Sequence, residues 1–364
     1  VTTTDLFSPL TFRNGVTAPN RLAVAAMTNS QSHDDGTLSD DELRWLEARA
    51  EGGFGLVATC ASHVALDGQG WPGELGIYDD HLLPGLTRLA SSLRARGALS
   101  IVQIFHGGTR SPSTLTGQMP WSASATEDPE PVRAAEEADI ERVIRQFAEA
   151  ARRAHQAGFD GVELHGAHGY LLCQFLSATL NRRSDGWGGD LAGRARLIRE
   201  ATRAVRAAVP ASFVVGVRLS PEDFGNAVGM DLDESLQTAK WLCEDGMDFL
   251  HISLWDAAKN TKKRPEEHPI PLFRKACPAE VPLLVAGKVW TRADAQALVD
   301  RGADMVALGR SAILNPDWPK QVQEAGWEPR RPPMKAEELV ARSVSPTFVG
   351  YLRRWKNFVA EEEG

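Results

Sequence analysis

Eight short runs rich in Val, Leu and Ile constrain this chain more than any other feature: 21–28, 54–62, 99–106, 159–166, 213–220, 247–254, 282–289 and 304–310. Runs that are apolar throughout over such a length read as strands covered on both faces. Between them lie segments of helical periodicity, among them 40–50, 139–157, 194–209, 232–245 and 292–301. Strand and helix in alternation imply parallel strands joined by right-handed crossovers. Eight such units can close a sheet on itself, so the predicted fold class is α/β, a single (β/α)8 TIM barrel. A length of 364 residues would allow two domains, but barrels of this size routinely form one. Gly158, Gly246 and Gly302 stand just ahead of three of the runs, where a helix ends on a left-handed residue.

Two segments fall outside the repeat. The stretch 107–139, after the third strand, is long and rich in Ser, Thr and Pro, and is expected to be a lid over the active face. Residues 343–364 follow a Pro-rich linker and carry Phe348, Tyr351, Leu352, Trp355 and Phe358 at near-helical spacing. They are expected to form a helical tail that docks on the barrel of 1–342 or on a neighbouring subunit, so a homo-oligomer is possible.

Composition narrows the partners. A net charge of -8 argues against nucleic acid, whose affinity comes from Lys and Arg neutralising phosphates. With 43% hydrophobic and 24% charged residues the chain reads as an ordinary globular protein; the strand-end residues below, not composition, give the expectation of a small-molecule substrate. Cys60, Cys173, Cys243 and Cys277 are scattered, with no CxxC pair, which suggests neither a zinc site nor a disulfide framework and makes the cytoplasm the expected compartment. Neither a secretory leader nor an uninterrupted apolar run of about 18 residues is present, so no membrane partner is expected.

In a barrel of this kind the C-terminal ends of the strands build the site. Those ends are polar here. The first delivers Met27 and Thr28, the third Gln103 and His106, the fourth His165 with His168 and Tyr170 just behind, and the fifth Arg218. The last two deliver Gly287, Lys288, Gly309 and Arg310, small residues and cations where barrels commonly bind phosphate. In HGAHGY, two imidazoles can donate to a developing oxyanion and a phenol can give a proton. A lone histidine is more often a satisfied core residue, and two histidines three apart with Glu163 nearby also suit zinc; no metal is predicted. Gln103 and Arg218 interrupt apolar runs, so they need partners: the edge of a heterocycle such as a flavin pyrimidine, or a buried carboxylate.

With these residues in place, the opening LFSPLTFRNGVTAPNRLAVAAMT and the stretch HGAHGYLLCQFLSATLNRRSDGWGGDLAGRARLIRE give the chain a resemblance, over nearly its whole length, to the old yellow enzyme group of FMN-dependent ene-reductases. The resemblance implies a barrel holding non-covalent FMN, with NADPH or NADH as reductant. It implies that His165 and His168 bind the substrate carbonyl oxygen and that Tyr170 is the proton donor to an α,β-unsaturated carbonyl or nitroalkene. It places Ala26 and Thr28 along the flavin, Ala61 near its N5 side, Gln103 and Arg218 at the pyrimidine, and Gly287, Lys288, Gly309 and Arg310 at the phosphate. Asn181, Arg183, Asp185, Gly188, Gly189, Arg194 and Arg196 would support the loop and helix that follow.

Trp187 stands where the family usually has tyrosine. Family forms with an added iron–sulfur cluster carry clustered cysteines that are missing here, so no second redox centre is expected. Some forms insert an arginine from a partner subunit, a role open to Arg353 or Arg354. No GxGxxG turn appears, so the nicotinamide would share the open face above the flavin. Other FMN reactions fit the same scaffold: oxidative demethylation, desaturation, nitro or quinone reduction. A flavin-free aldolase or isomerase, for which only Lys288 stands at a strand end, and a non-catalytic flavin-binding protein are the remaining readings.

Overall fold

The computed structural model describes residues 4–128 and 130–361. Eight parallel strands close into a barrel: β1 (Leu22–Val24), β2 (Leu56–His63), β3 (Leu99–Phe105), β4 (Gly161–Gly166), β5 (Val214–Leu219), β6 (Phe249–Ser253), β7 (Leu283–Ala286) and β8 (Met305–Leu308). Seven of the eight predicted runs contain one of them, and the remaining run, 54–62, covers β2 except for its last residue, His63. The ladders stop short of several run ends, leaving 25–28, 287–289 and 309–310 outside the strands. The backbone turns at the C-terminal mouth, with Lys288 at φ 53°.

Helices α1 (Asp40–Glu51), α2 (Leu83–Ala95), α3 (Glu137–Ala157), α4 (Leu191–Ala208), α5 (Leu232–Glu244), α6 (Pro269–Ala276) and α7 (Arg292–Asp300) fill the crossovers, and the short α8 (Arg310–Leu314) follows the last strand. The longest, α3, shows why such segments are helical. Ile140, Val143, Phe147, Ala150, Ala151 and Ala154 recur every three or four residues and are buried on one face. Glu136 and Asp139 form a capping box at its start, and Gly158 at φ 91° ends it.

An antiparallel hairpin, Leu10–Thr11 with Thr17–Ala18, plugs the barrel floor. It was not foreseen from the sequence. Its Leu10, Phe12 and Ala18 pack with Leu56, Ile101, Val214, Phe249, Leu284 and Met305, and the Phe12 and Phe249 rings lie 6.0 Å apart. Large side chains therefore fill the lower layer, while Ala25, Ala26, Ala61 and Ala286 nearer the mouth leave room for a ligand.

The predicted lid is a packed cap. Trp121, Ala123, Val132 and Ala135 are buried, Trp121–Ser122 pairs with Arg133–Ala134, and Arg183 clamps both sides through the Ala123 and Ala135 carbonyls. Of this segment's described residues only Arg110 lines the cavity below. The tail forms α9 (Pro346–Leu352), whose Phe348 meets Trp45 of α1 edge-on at 5.6 Å. Tail residues Phe348, Tyr351, Leu352, Trp355 and Phe358 border the cavity of their own barrel, and 362–364, the last of the predicted tail, lie outside the described residues. Among the described residues no helix is long and apolar enough to cross a membrane.

Candidate active site

A cavity of about 410 Å³ lies at the C-terminal mouth of the barrel, a size suited to a cofactor or drug-sized ligand. Ala26, Thr28, Ala61, Gln103, His165, His168, Tyr170, Arg218, Gly287, Lys288, Gly309 and Arg310 all line it. Residues from seven separate strand ends and loops are thus brought to one wall, as a closed parallel barrel requires. A bulge in β2 between Ala58 and Ala61 sets Ala61 beside Gln103 of β3. His106 is not part of the wall: it is buried against Trp121 at 4.9 Å, with Nε2 3.4 Å from Asp67.

The loop after β4 carries the chemistry-bearing trio. His168 at φ 59° and Gly169 at φ 74° wind the backbone left-handed, folding His168 and Tyr170 back over His165. The two imidazoles lie 5.0 Å apart at 83°, and His165 lies 4.9 Å from Tyr170. The Ala167 amide donates to His165 Nδ1 at 3.3 Å, so a neutral His165 carries its proton on Nε2. Ser253 Oγ accepts from Arg218 Nη2 at 3.1 Å and lies 2.7 Å from His168 Nε2. Where that hydroxyl donates to Nε2, a neutral His168 keeps its proton on Nδ1.

Burial, then neighbouring imidazoles and the Arg218 and Arg110 cations, hold His165 well below the ordinary histidine range, and burial and Arg218 do the same for His168. Both are neutral donors near neutral pH. Burial pushes the Tyr170 phenol up to about 12 against the opposing pull of Arg110. It stays protonated.

Gln103 and Arg218 belong to a polar layer beneath the cavity. Gln103 Nε2 donates to Glu163 Oε1 at 2.6 Å, and His251 Nδ1 lies 2.7 Å from Glu163 Oε2. Glu163 is two residues from His165 on one strand and so shares its side, one layer lower. Its oxygens accept from Gln103 and face His251. Burial opposes its ionisation, but the charges of His251 and Arg218 win and keep it below the usual carboxylate value. Of the two partners expected for Gln103 and Arg218, the carboxylate is present in part: Gln103 bonds Glu163 and Arg218 feels its charge, while both residues line the cavity.

FMN can be tested against this wall. Arg218 Nε and Ser311 Oγ are buried polar atoms without a protein partner, and both residues line the cavity. Such atoms call for a ligand acceptor. A side chain at Gly287 would place its Cβ 2.8 Å from the Leu254 carbonyl oxygen, so the β7 loop comes close only because the residue is glycine. The set fits a phosphorylated heterocycle. Sequence reasoning missed Arg110, Ser253, Ser311 and His251; the last interrupts the apolar run FLHIS as Gln103 and Arg218 interrupt theirs.

The sequence model of the NADH:flavin oxidoreductase / NADH oxidase family matches residues 5–326. The chain is 38% identical over 330 residues to the probable NADH-dependent flavin oxidoreductase YqiG of Bacillus subtilis, covering 88% of each protein. The old yellow enzyme homologue of Zymomonas mobilis superposes with a TM-score of 0.81 at 29% identity, over 92% of this chain and 96% of that one. Morphinone reductase in complex with tetrahydroNAD superposes with a TM-score of 0.79 at 27% identity, over 92% of this chain and 94% of the other.

Proposed function

This chain belongs to the NADH:flavin oxidoreductase / NADH oxidase family, and from that premise we propose that it is an FMN-dependent ene-reductase: NAD(P)H is the reductant, and an alkene conjugated to a carbonyl or nitro group is the acceptor. The observation that carries the reading is the pair of neutral imidazoles, with His165 Nε2–H left over, beside a protonated phenol at the cavity wall. Bound FMN would supply two-electron transfer between the two substrates. Gly287, Lys288, Gly309, Arg310 and Ser311 would hold its phosphate, and Ala26, Thr28, Ala61, Gln103 and Arg218 its ring.

His165 Nε2–H and His168 Nδ1–H donate to the acceptor oxygen and stabilise the charge that builds there as the β carbon is reduced, a role worth about 2.7–4 kcal/mol per donor in comparable oxyanion sites. Because both imidazoles are already neutral, neither is an acid of useful strength. That leaves Tyr170 to give the α proton. The Thr28 hydroxyl has no protein partner among the described residues and is free to bond the ring.

The test is optical. The purified protein is expected to be yellow, to bleach under anaerobic NADH or NADPH, and to regain its colour with 2-cyclohexenone. Bleaching that the enone cannot reverse would keep the flavoenzyme and sink the ene-reductase reading. A second expectation concerns the phosphate cradle: Ser311→Ala removes a hydrogen bond to a charged group and is expected to weaken FMN binding about 10–100-fold. Fluorescence titration of the apoprotein with FMN checks it. An unchanged Kd would take Ser311 out of the cradle.

A further inference from the structure

We propose that Arg110 is a carboxylate-recognition residue, so that the preferred acceptor carries an ionised carboxylate in addition to the carbonyl that activates its alkene. The inference rests on the ene-reductase reading for the reaction but on this chain's own side chains for the selectivity. Arg110 ends the turn Gly108–Arg110 after β3 and lines the cavity. Its guanidinium lies 4.2 Å from the centre of the Tyr170 ring, and Nη1 donates to the His168 carbonyl at 2.9 Å. It is thus pinned to the two residues that flank the acceptor.

The other cations on the wall answer to a carboxylate or to the proposed phosphate. Arg218 interacts with Glu163, Lys288 Nζ lies 3.3 Å from Asp256, and Arg310 stands with Gly309 and Ser311 in the phosphate cradle. Arg110 has no carboxylate partner among the described residues, and no Asp or Glu lines the cavity. Glu74, whose charge reaches Tyr170, has its oxygens taken by the Gly70 and Trp71 amides and by His63. One of the five guanidinium donors is used on the His168 carbonyl and another bonds the Tyr170 hydroxyl, which leaves enough for a bidentate carboxylate. In the reaction the acceptor C=C takes two electrons and one proton from NAD(P)H and one further proton through Tyr170, giving the saturated acid and NAD(P)+; the carboxylate is unchanged.

The probes are (E)-4-oxopent-2-enoate and its methyl ester, which share the activating ketone and differ in charge. The wild-type holoenzyme is expected to favour the acid about 10–100-fold in kcat/KM. Arg110→Leu is expected to erase that ratio, and Arg110→Lys to retain part of it. The ratio cancels whatever Arg110 contributes to placing Tyr170. Calorimetric binding of the saturated acid and ester to the oxidised holoenzyme supplies a readout that needs no turnover: tighter binding of the acid, lost in Arg110→Leu, supports the assignment. A wild type indifferent to charge, or a leucine variant that keeps the preference, overturns it. So does a variant that loses affinity only for NAD(P)H in the first half-reaction, because Arg110 would then serve the dinucleotide pyrophosphate. Charge-selective binding without reduction of either alkene would instead overturn the ene-reductase reading and leave the carboxylate site standing.

Discussion

Tyr170→Phe is expected to slow reduction of 2-cyclohexenone about 10²–10⁴-fold, the usual worth of a positioned general acid, while NAD(P)H oxidation in the first half-reaction stays close to wild type. The phenylalanine keeps the packing. Tyr170 meets Phe105 edge-on at 5.0 Å and lies under the Arg110 guanidinium, contacts made by the ring and available to either residue. The hydroxyl is lost, and with it the hydrogen bond to Arg110 and the acid proton. His165 and His168 cannot replace it, because burial and nearby cations hold both well below the ordinary histidine range. The same directions fix the wild-type pH profile of the second half-reaction. With the imidazoles titrating below neutrality and the phenol pushed up to about 12, the rate is expected to be nearly flat from about pH 6 to about pH 9. Stopped-flow traces of the two half-reactions decide the matter: equal losses in both would remove Tyr170 from the acid role, and a rate that falls as pH rises through the ordinary histidine pKa would mean that one imidazole acts as a cation.

What could be read in advance was whatever breaks a pattern. Gln103 and Arg218 showed themselves as polar residues within apolar runs, and His165, His168 and Tyr170 stood just beyond a strand tip where the barrel count had already placed the mouth. His251 breaks the run of β6 in the same way and was legible by that rule, although its partner Glu163 comes from another strand. Arg110 was not legible. It sits in a polar loop with no periodicity to violate, and its meaning comes from His168 and Tyr170, some sixty positions away. The floor hairpin was equally hidden, since two residues per strand are too few for alternation to register. For the tail, the spacing of its aromatics indicated a buried face but could not show what that face covers. The answer, Trp45 and the cavity edge, depends on a contact across most of the chain.

Arg49→Met is expected to cost about 3–5 kcal/mol of folding stability, the range for breaking a buried charged network. Arg49 is completely buried on α1 and has no carboxylate partner among the described residues. Its donors go instead to carbonyls: Nε to Ala312 at 3.1 Å, Nη1 to Trp45 and Arg342 at 3.0 Å, and Nη2 to Ile313 at 2.9 Å, with the guanidinium 4.7 Å from the Trp45 ring. Ala312 and Ile313 lie in the final turn of α8, whose carbonyls have no helical partners of their own. A methionine fills much of the volume and leaves those oxygens buried without donors. Arg49→Lys is not expected to rescue, because one ammonium on a flexible stem cannot reach three chain segments as a planar fork does. Denaturant unfolding of the apoprotein measures the loss, and a midpoint within about 1 kcal/mol of wild type would show that the carbonyls find water or other donors. The α8 helix begins at Arg310 and Ser311, so Arg49→Met is also expected to weaken FMN binding. The pairing separates two causes: Ser311→Ala is expected to lower FMN affinity at unchanged apoprotein stability, whereas Arg49→Met is expected to lower both, because it loosens the helix that carries the proposed phosphate cradle.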